Sequence, residues 1–260
     1  MALAAGMRSS VSQTPSVALS TVDSLKLALK NAKHDTTRCN VLSVLVEAAS
    51  DQEWPAFNEQ LIILSEKNSA SSQTPSKKKF YLRHLANALN SKGYFCENQG
   101  RVNEALKYYV RSLKIREEVG DKNGIATSLN SIGLIYYNRG QINEALNYYV
   151  RSLKIKEEFG DKKGVSNSLS SIASIYEKLG QVKEALDYNA RSLKIREKIG
   201  DKRGTATSLN NIGVIYRNQG RAKEALDYYG RSLKIWEEIG DQHGIANSFN
   251  NIGVIYMKQG

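Results

Sequence analysis

The sequence predicts an all-α fold, a solenoid in which pairs of antiparallel helices stack one after another. Three observations support this prediction: a repeat of 40 residues, apolar residues at helical spacing within each repeat, and glycine at regular breaks. The repeat is marked by the dipeptide Gly-Asp, which recurs at 120–121, 160–161, 200–201 and 240–241. Stacked units of this length contact only their neighbours, so we expect an elongated array without one central core.

Each repeat is predicted to form two helices. In the second repeat the first helix begins at Asp121, whose carboxylate can cap the free amides of a first turn, and it ends at Gly140, which suits a left-handed helix end. Its apolar residues recur three or four positions apart, as on one face of a helix. The second helix is predicted from about Ile142 to Phe159. Neither helix can bury its apolar face alone, so adjacent repeats should stabilise one another.

The array occupies residues 77–260, with four full repeats and the first helix of a fifth. Residues 22–76 lack the repeat signature and predict degenerate helices that cap the array. One covers 22–33, one begins at Asp35, and one begins at Asp51 with Trp54 and Pro55 in its first turn; a polar loop over 69–76 follows. Residues 1–21 are rich in Ser and Ala, and they predict a disordered tail or an expression remnant.

Both ends of the sequence carry further expectations. The first residues lack the charged start and long apolar stretch of an intact signal peptide, which favours the cytoplasm and leaves open export after removal of a leader. Gly260 directly follows a first helix, so we expect the sequence to be a piece of a longer protein. Weak self-association through this truncated C-terminal helix is expected, since it would expose Phe249, Ile252, Ile255 and Tyr256.

The repeat resembles the tetratricopeptide repeat, in which small and aromatic residues recur at the helix contacts. The small residue of the first helix is matched by Gly93, Gly133, Ala173, Gly213 and Gly253. The aromatic residue of the second helix is matched by Tyr109, Tyr149 and Tyr229, whereas Asn189 departs. The family's usual period is about 34 residues; the longer period here is similar to repeats of kinesin light chains, spindle-orientation adaptors and sensor regions of bacterial signalling proteins. The resemblance implies a right-handed superhelix whose first helices line a concave groove.

The resemblance also implies which residues face that groove, because they lie at fixed distances from the small residue. The predicted peptide-binding residues are Asn90, Tyr94, Asn130, Leu134, Tyr137, Asn138, Asn167, Asn210, Asn211, Val214, Arg217, Asn218, Asn250 and Asn251. Asparagine dominates, and its amide both donates and accepts hydrogen bonds, as a peptide group does. One such amide per repeat can hold an extended backbone, although Ser170 should weaken the middle of this ladder. Alternatively, these asparagines are polar surface residues or make contacts within their own repeat.

The formal net charge of +11 suits nucleic acids or acidic partners. Residues 1–76 carry six Lys or Arg and seven Asp or Glu, so residues 77–260 hold +12. Arg111, Lys114, Arg116 and their equivalents are expected on the convex second helices among acidic residues, so nucleic acid is not the expected partner. No apolar run approaches the roughly 20 residues that span a bilayer, so membrane insertion is not expected either.

No residues indicate catalysis, a metal or a cofactor. His34, His84 and His243 lie in different units, and no His, Cys and acidic residues have metal-binding spacing. The segment Gly-Asp-Lys-x-Gly recurs every 40 residues, which indicates a helix junction rather than a phosphate-binding loop. Cys39 and Cys96 are expected to be buried thiols rather than a redox pair.

The sequence therefore predicts a non-catalytic scaffold that binds a protein or peptide in an asparagine-rich groove. We expect it to be the sensor or interaction region of a larger signalling protein. The alternative is a structural or oligomerising spacer without a peptide ligand.

Overall fold

The computed structural model describes residues 20–259, and this part of the chain contains helices and no strands. The helices are α1 (Thr21–Asn31), α2 (Asp35–Ala48), α3 (Trp54–Ser71), α4 (Pro75–Asn98), α5 (Val102–Val119), α6 (Lys122–Asn138), α7 (Ile142–Phe159), α8 (Lys162–Lys178), α9 (Val182–Lys198), α10 (Lys202–Asn218), α11 (Ala222–Glu238) and α12 (Gln242–Gln259). Each helix packs mainly against its neighbours in sequence. The predicted all-α solenoid is confirmed, and α7 has the predicted bounds.

Buried apolar residues form separate clusters along the array rather than one core. The first cluster joins α2, α3, α4 and α5 through residues such as Leu42, Leu61 and Leu89. The others lie within the later repeats, for example around Tyr149 and Ile172. Each repeat is therefore held by its neighbours, as stacking of helix pairs requires.

The helix junctions of the array combine a left-handed glycine with an aspartate cap. Gly120, which ends α5, has φ of 67°, a backbone conformation that costs glycine little. Asp121 follows, and its Oδ1 accepts a hydrogen bond from the Gly124 amide at 3.0 Å. The same cap recurs before α8, α10 and α12. The predicted aspartate caps are confirmed, and Gly-Asp-Lys-x-Gly forms a helix junction.

The N-terminal helices begin differently from the prediction. Asp35 is the first helical residue of α2 rather than its cap, and His34 precedes it without a capping side chain. Asp51 lies in a turn before α3, and this turn is closed by Ser50, whose carbonyl accepts from the Glu53 and Trp54 amides. Helix α3 then begins at Trp54, as the proline at its first turn favours. The predicted loop over 69–76 is shorter, because α3 extends to Ser71 and α4 begins at Pro75. The tail predicted over 1–21 lies outside the described residues up to position 19.

A buried serine joins the two helices of every complete repeat. Ser152 on α7 donates to the carbonyl oxygen of Ala126 on α6 at 2.8 Å, and both residues are fully buried. The equivalent serines make the same bond 26 residues back along the chain: Ser112, Ser192 and Ser232. This bond fixes which faces of the two helices meet, because a serine one position away would point elsewhere.

The second constraint is the contact between the small residue and the aromatic residue of the same repeat. A methyl group on Gly213 would lie 2.7 Å from the ring of Tyr229, and one on Gly133 would lie 3.0 Å from Tyr149. The third repeat has Ala173 at the small position and Asn189 in place of tyrosine. Both are buried, so the smaller asparagine leaves room for the added methyl group. The departure of Asn189 from the repeat pattern thus compensates for Ala173.

We expect Ser152→Ala to lower the free energy of unfolding by about 1 kcal/mol, because it removes one buried hydrogen bond. Urea denaturation followed by circular dichroism measures this change. Ser171→Ala is the control, since the Ser171 hydroxyl bonds only within its own helix on an exposed face. Equal stability of the two variants would contradict the structural role of the buried serine.

We expect Gly213→Ala to lower the free energy of unfolding by at least about 1 kcal/mol, because the added methyl group would clash with the Tyr229 ring. The cost should shrink in a Tyr229→Asn background, as a double-mutant cycle would measure. Gly230→Ala is the matched control: Gly230 lies within α11 with nothing within 4 Å of an added methyl group. That variant should gain about 0.5–1 kcal/mol from helix propensity. A loss as large as that of Gly213→Ala would refute the packing argument.

Candidate peptide-binding surface

The predicted site residues lie on the first helices of the repeats, α4, α6, α8, α10 and α12. We call this set the asparagine surface. Its members sit beside the buried apolar stripe of each helix. Asn130, for example, follows the buried Leu129 and is itself half-buried. The apolar packing of each helix pair thus turns these polar side chains away from the second helix.

Contacts between successive repeats bring parts of the asparagine surface together. Asn251 on α12 donates through Nδ2 to Asn210 Oδ1 on α10 at 2.8 Å. Asn218 on α10 donates to Glu177 Oε1 on α8 at 3.1 Å. Farther along, the Lys178 Nζ lies 3.7 Å from the centroid of the Tyr137 ring, a cation–π contact between α8 and α6. The surface is therefore continuous from α6 to α12.

Other amides of the asparagine surface make no side-chain hydrogen bond within the described residues. These are Asn90, Asn130, Asn138, Asn211 and Asn250. The Oδ1 atom of Asn90 is buried and lacks any partner, although a buried acceptor ordinarily has one. Ser170 occupies the equivalent position in the third repeat, and its hydroxyl lies 2.9 Å from that of Ser192. The third repeat therefore offers less hydrogen-bonding capacity at this position than its neighbours.

Two of the arginines expected on the convex face are instead buried between repeats. Arg196, at the end of α9, donates to the Gly204 carbonyl at 2.8 Å and to Ser208 Oγ at 2.9 Å, both on α10. It also donates to Asn167 Oδ1 at 2.9 Å. Arg116 makes the equivalent contacts two repeats earlier. Burial lowers the pKa of both guanidinium groups.

The expected convex position of these arginines was wrong because charge alone does not report burial. The terminal nitrogens of their guanidinium groups replace water with carbonyl, hydroxyl and amide acceptors, whereas the Nε of each is buried without a partner. Lys156 occupies the position in the second repeat and donates to Ser168 Oγ at 3.0 Å, and burial lowers its pKa. In the fourth repeat the position is Trp236, which packs on Gly244. Asn167, a predicted ligand contact, already uses its amide oxygen to hold Arg196.

Residues outside the repeats extend the asparagine surface at its N-terminal end. A cavity of about 370 Å³ is lined by Asn90 and Tyr94 of α4 together with Glu47, Asp51 and Trp54. Sequence reasoning missed these last three residues, because α2 lacks the repeat signature. The position of Glu47 relative to the helix end could have identified it. Glu47 is the second-last residue of α2, and Glu97 is the second-last residue of α4.

Charge is unevenly distributed along this surface. Glu47 and Asp51 lie at the N-terminal end, where Glu97 Oε2 also accepts a hydrogen bond from the Tyr109 hydroxyl at 2.9 Å. In the middle, burial raises the pKa of Glu177. Arg217 lies towards the other end and donates to Asn251 Oδ1 at 3.2 Å. The surface thus changes from acidic to basic along the array.

The last helix is exposed in part as expected. Phe249 and Tyr256 are 55% and 60% exposed, but Ile255 is 3% exposed because it packs on α11 near Tyr229. The expected exposure of Ile255 was therefore wrong. Self-association through this helix stays a prediction.

Metal ligands and reactive thiols are the other functional groups to consider in the described part of the chain. No His, Cys, Asp or Glu side chains gather there in a group able to hold a metal ion. Cys39 and Cys96 are buried and unpaired, as predicted, and burial raises the pKa of both thiols. None of the helices in residues 20–259 is both long and apolar enough to cross a bilayer.

Comparison with solved structures identifies the same fold in several proteins. BtubC (BKLC) from P. vanneervenii is 18% identical, with a TM-score of 0.67 over 85% of this chain and 89% of that one. A signal transduction ATPase with numerous domains from Pyrococcus horikoshii, which has a tetratricopeptide repeat sensor, is 19% identical with a TM-score of 0.70. The match covers 91% of this chain but 35% of that protein. A Rap protein complexed with Competence and Sporulation Factor is 16% identical, with a TM-score of 0.60 over 86% of this chain and 71% of that one.

Comparison with curated protein sequences gives no significant match. The model of the tetratricopeptide repeat, however, matches residues 84–158, 164–238 and 204–260. These ranges cover the whole predicted array apart from its first turns and one helix junction. The chain belongs to the tetratricopeptide repeat family, whose fold commonly serves as a protein-interaction scaffold.

Proposed function

We propose that this chain is a non-catalytic scaffold that holds an extended protein segment on the asparagine surface. The observation that carries the proposal is the unpartnered Asn90 Oδ1, a buried acceptor at a position that recurs as Asn130, Asn210 and Asn250. A bound peptide amide would donate to such an oxygen and remove the cost of leaving it unpaired.

The chemistry of the asparagine amide suits recognition of a backbone. Each amide offers donors and an acceptor, so it can complement a peptide group whatever side chain the ligand carries. Amides on successive first helices would contact a bound chain at successive points along its length. An extended backbone can span the distance between these points without folding. Recognition of the backbone alone allows peptides of many sequences to bind. Specificity for particular side chains must therefore come from neighbouring pockets.

Two of the similar structures support an interaction role. The Rap protein, which shares this fold over 71% of its chain, is seen in complex with Competence and Sporulation Factor. The Pyrococcus protein uses its tetratricopeptide repeats as the sensor of a signal transduction ATPase. By analogy, we propose that this chain is the sensor or interaction region of a larger signalling protein.

The alternative is a structural or oligomerising spacer that binds no segment. The bonds from Asn251 to Asn210 and from Asn218 to Glu177 favour it, because they show that amides of this surface can also fasten neighbouring repeats. The two functions differ in what the unpartnered amides do. In a spacer they remain solvated, whereas in a binding scaffold they contact the ligand.

We expect Asn130→Ala and Asn210→Ala to weaken binding of a peptide selected from an array of random twelve-residue peptides. Each loss should be about 1 kcal/mol, or roughly fivefold in Kd, because each variant removes a group that can bond the peptide: the amide of Asn130, and the Nδ2 of Asn210, whose Oδ1 already accepts from Asn251. Fluorescence anisotropy of the labelled peptide measures the change.

The matched control carries Asn143→Ala and Asn147→Ala, two exposed asparagines of α7 on the opposite side of the repeat. This control should bind as the unchanged protein does. Unchanged binding by the Asn130/Asn210 double variant would eliminate the amide ladder, and an array without any binder would favour the spacer.

A further inference from the structure

We propose that the cavity at the N-terminal end of the asparagine surface binds a cationic side chain, arginine or lysine, of the segment held there. This inference rests on the proposed function and adds the chemical class of one ligand residue. The cavity of about 370 Å³ lies where α2 and the start of α3 face α4. Its volume is within the range of ligand-binding pockets, and it is open to solvent.

Unpaired carboxylates give this cavity its negative charge. Glu47 and Asp51 are exposed, and neither forms an ion pair with a residue in the described part of the chain. The other acidic residues of α3 and its preceding turn are compensated: Glu53 bonds Lys26 at 2.6 Å, Glu59 bonds Lys92 at 2.8 Å and Glu66 bonds Arg111 at 2.6 Å. Asp51 is therefore the uncompensated acid of α3 and its preceding turn, and it lines the cavity together with Glu47 of α2.

Aromatic rings form another part of the wall. Tyr94 is 58% exposed, whereas Tyr109 of the same repeat is buried. Trp54 is held edge-on by Phe95, with ring centroids 5.3 Å apart and planes at 90°. Aromatic faces attract ammonium and guanidinium groups, and the attraction grows when the cation is shielded from water. The asparagine surface already contains one such contact, between Lys178 and Tyr137.

The hydrogen-bonding groups of the cavity also call for donors. It shares Asn90 and Glu47 with an inner cavity of about 290 Å³, which Asn58 and Arg116 line. Asn58 is fully buried, its Nδ2 donates to the Ala88 carbonyl at 3.0 Å, and its Oδ1 has no partner. Asn90 Oδ1 is the unpaired acceptor that lines both cavities. Guanidinium and ammonium groups carry only donors, so they match such an acceptor.

Arg116 decides where the cationic group lies. Its charge would repel a second cation in the inner cavity, and its terminal nitrogens already donate to Asn87 and Ser128. The charged head group is therefore assigned to the outer cavity, between Glu47, Asp51 and the aromatic rings. The net charge of this region also favours a cationic ligand. Residues 20–76 carry seven acidic and five basic residues, although the whole chain has a formal net charge of +11.

The test uses Trp54 as its reporter. In a Trp236→Phe background Trp54 is the only tryptophan of the chain, and its fluorescence is followed as acetyl-tetra-arginine amide is added at low salt. We expect a saturable change with tetra-arginine and none with acetyl-tetra-glutamate amide. Glu47→Gln combined with Asp51→Asn should weaken tetra-arginine binding about fivefold, since two partly exposed charge contacts are lost.

The matched control carries Glu197→Gln and Glu237→Gln, which remove the same charge from exposed positions on α9 and α11. This control separates the local contacts from the general charge of the protein. Equal affinity of the two double variants, or an equal response to tetra-arginine and tetra-glutamate, would overturn the assignment.

Failure of the proposed function gives a different result. In that case the Asn130/Asn210 double variant keeps its affinity for the selected twelve-residue peptides, while the Trp54 response to tetra-arginine persists. If selected peptides bind through the asparagines but show no enrichment of arginine or lysine, the amide ladder stands and the cationic pocket is wrong.

Discussion

The hydrogen bond from a buried serine of each second helix to a carbonyl of its first helix is the contact on which the array depends. It recurs in every complete repeat with the same partners and lengths of 2.7–2.8 Å. Together with the tyrosine ring on the small residue, it fixes the rotation of the first helix about its own axis. That rotation decides which side chains are buried and which form the asparagine surface, so the binding face follows from the packing within each pair.

Periodicity predicted much of this arrangement. The 40-residue repeat, the aspartate caps and the glycine breaks are local signals, and each helix junction that they predict is present in the structure. Contacts between repeats were harder to predict. Arg116 and Arg196 are charged residues of the kind expected on a solvated face. They are buried because the first helix of the following repeat packs against them. Asn189 departs from the repeat pattern, and its compensation for Ala173 becomes apparent only from the close contact of tyrosine with glycine at the equivalent positions of the other repeats.

The repeat also made part of the candidate site predictable, namely the part that lies on the first helices of the repeats. Positions on the first helices follow from the repeat, so Asn90, Asn130 and Asn210 could be named from the sequence. Glu47, Asp51 and Trp54 could not, because they belong to helices without the repeat signature. Asn167 illustrates a further limit: its position follows the pattern, yet its amide oxygen binds Arg196. The excess positive charge is likewise divided between exposed residues and cations buried between repeats, so it does not describe the binding surface.

The central claim is that the amides of the first helices that keep a free donor or acceptor bind the backbone of an extended segment. A crystal structure of the protein with a peptide selected from the random array tests it most directly. The account predicts an extended peptide along α4, α6, α8 and α10, with its backbone within hydrogen-bonding distance of the Asn130 and Asn210 amides. A peptide bound on the second helices, or one that makes no hydrogen bond to either amide, would contradict it.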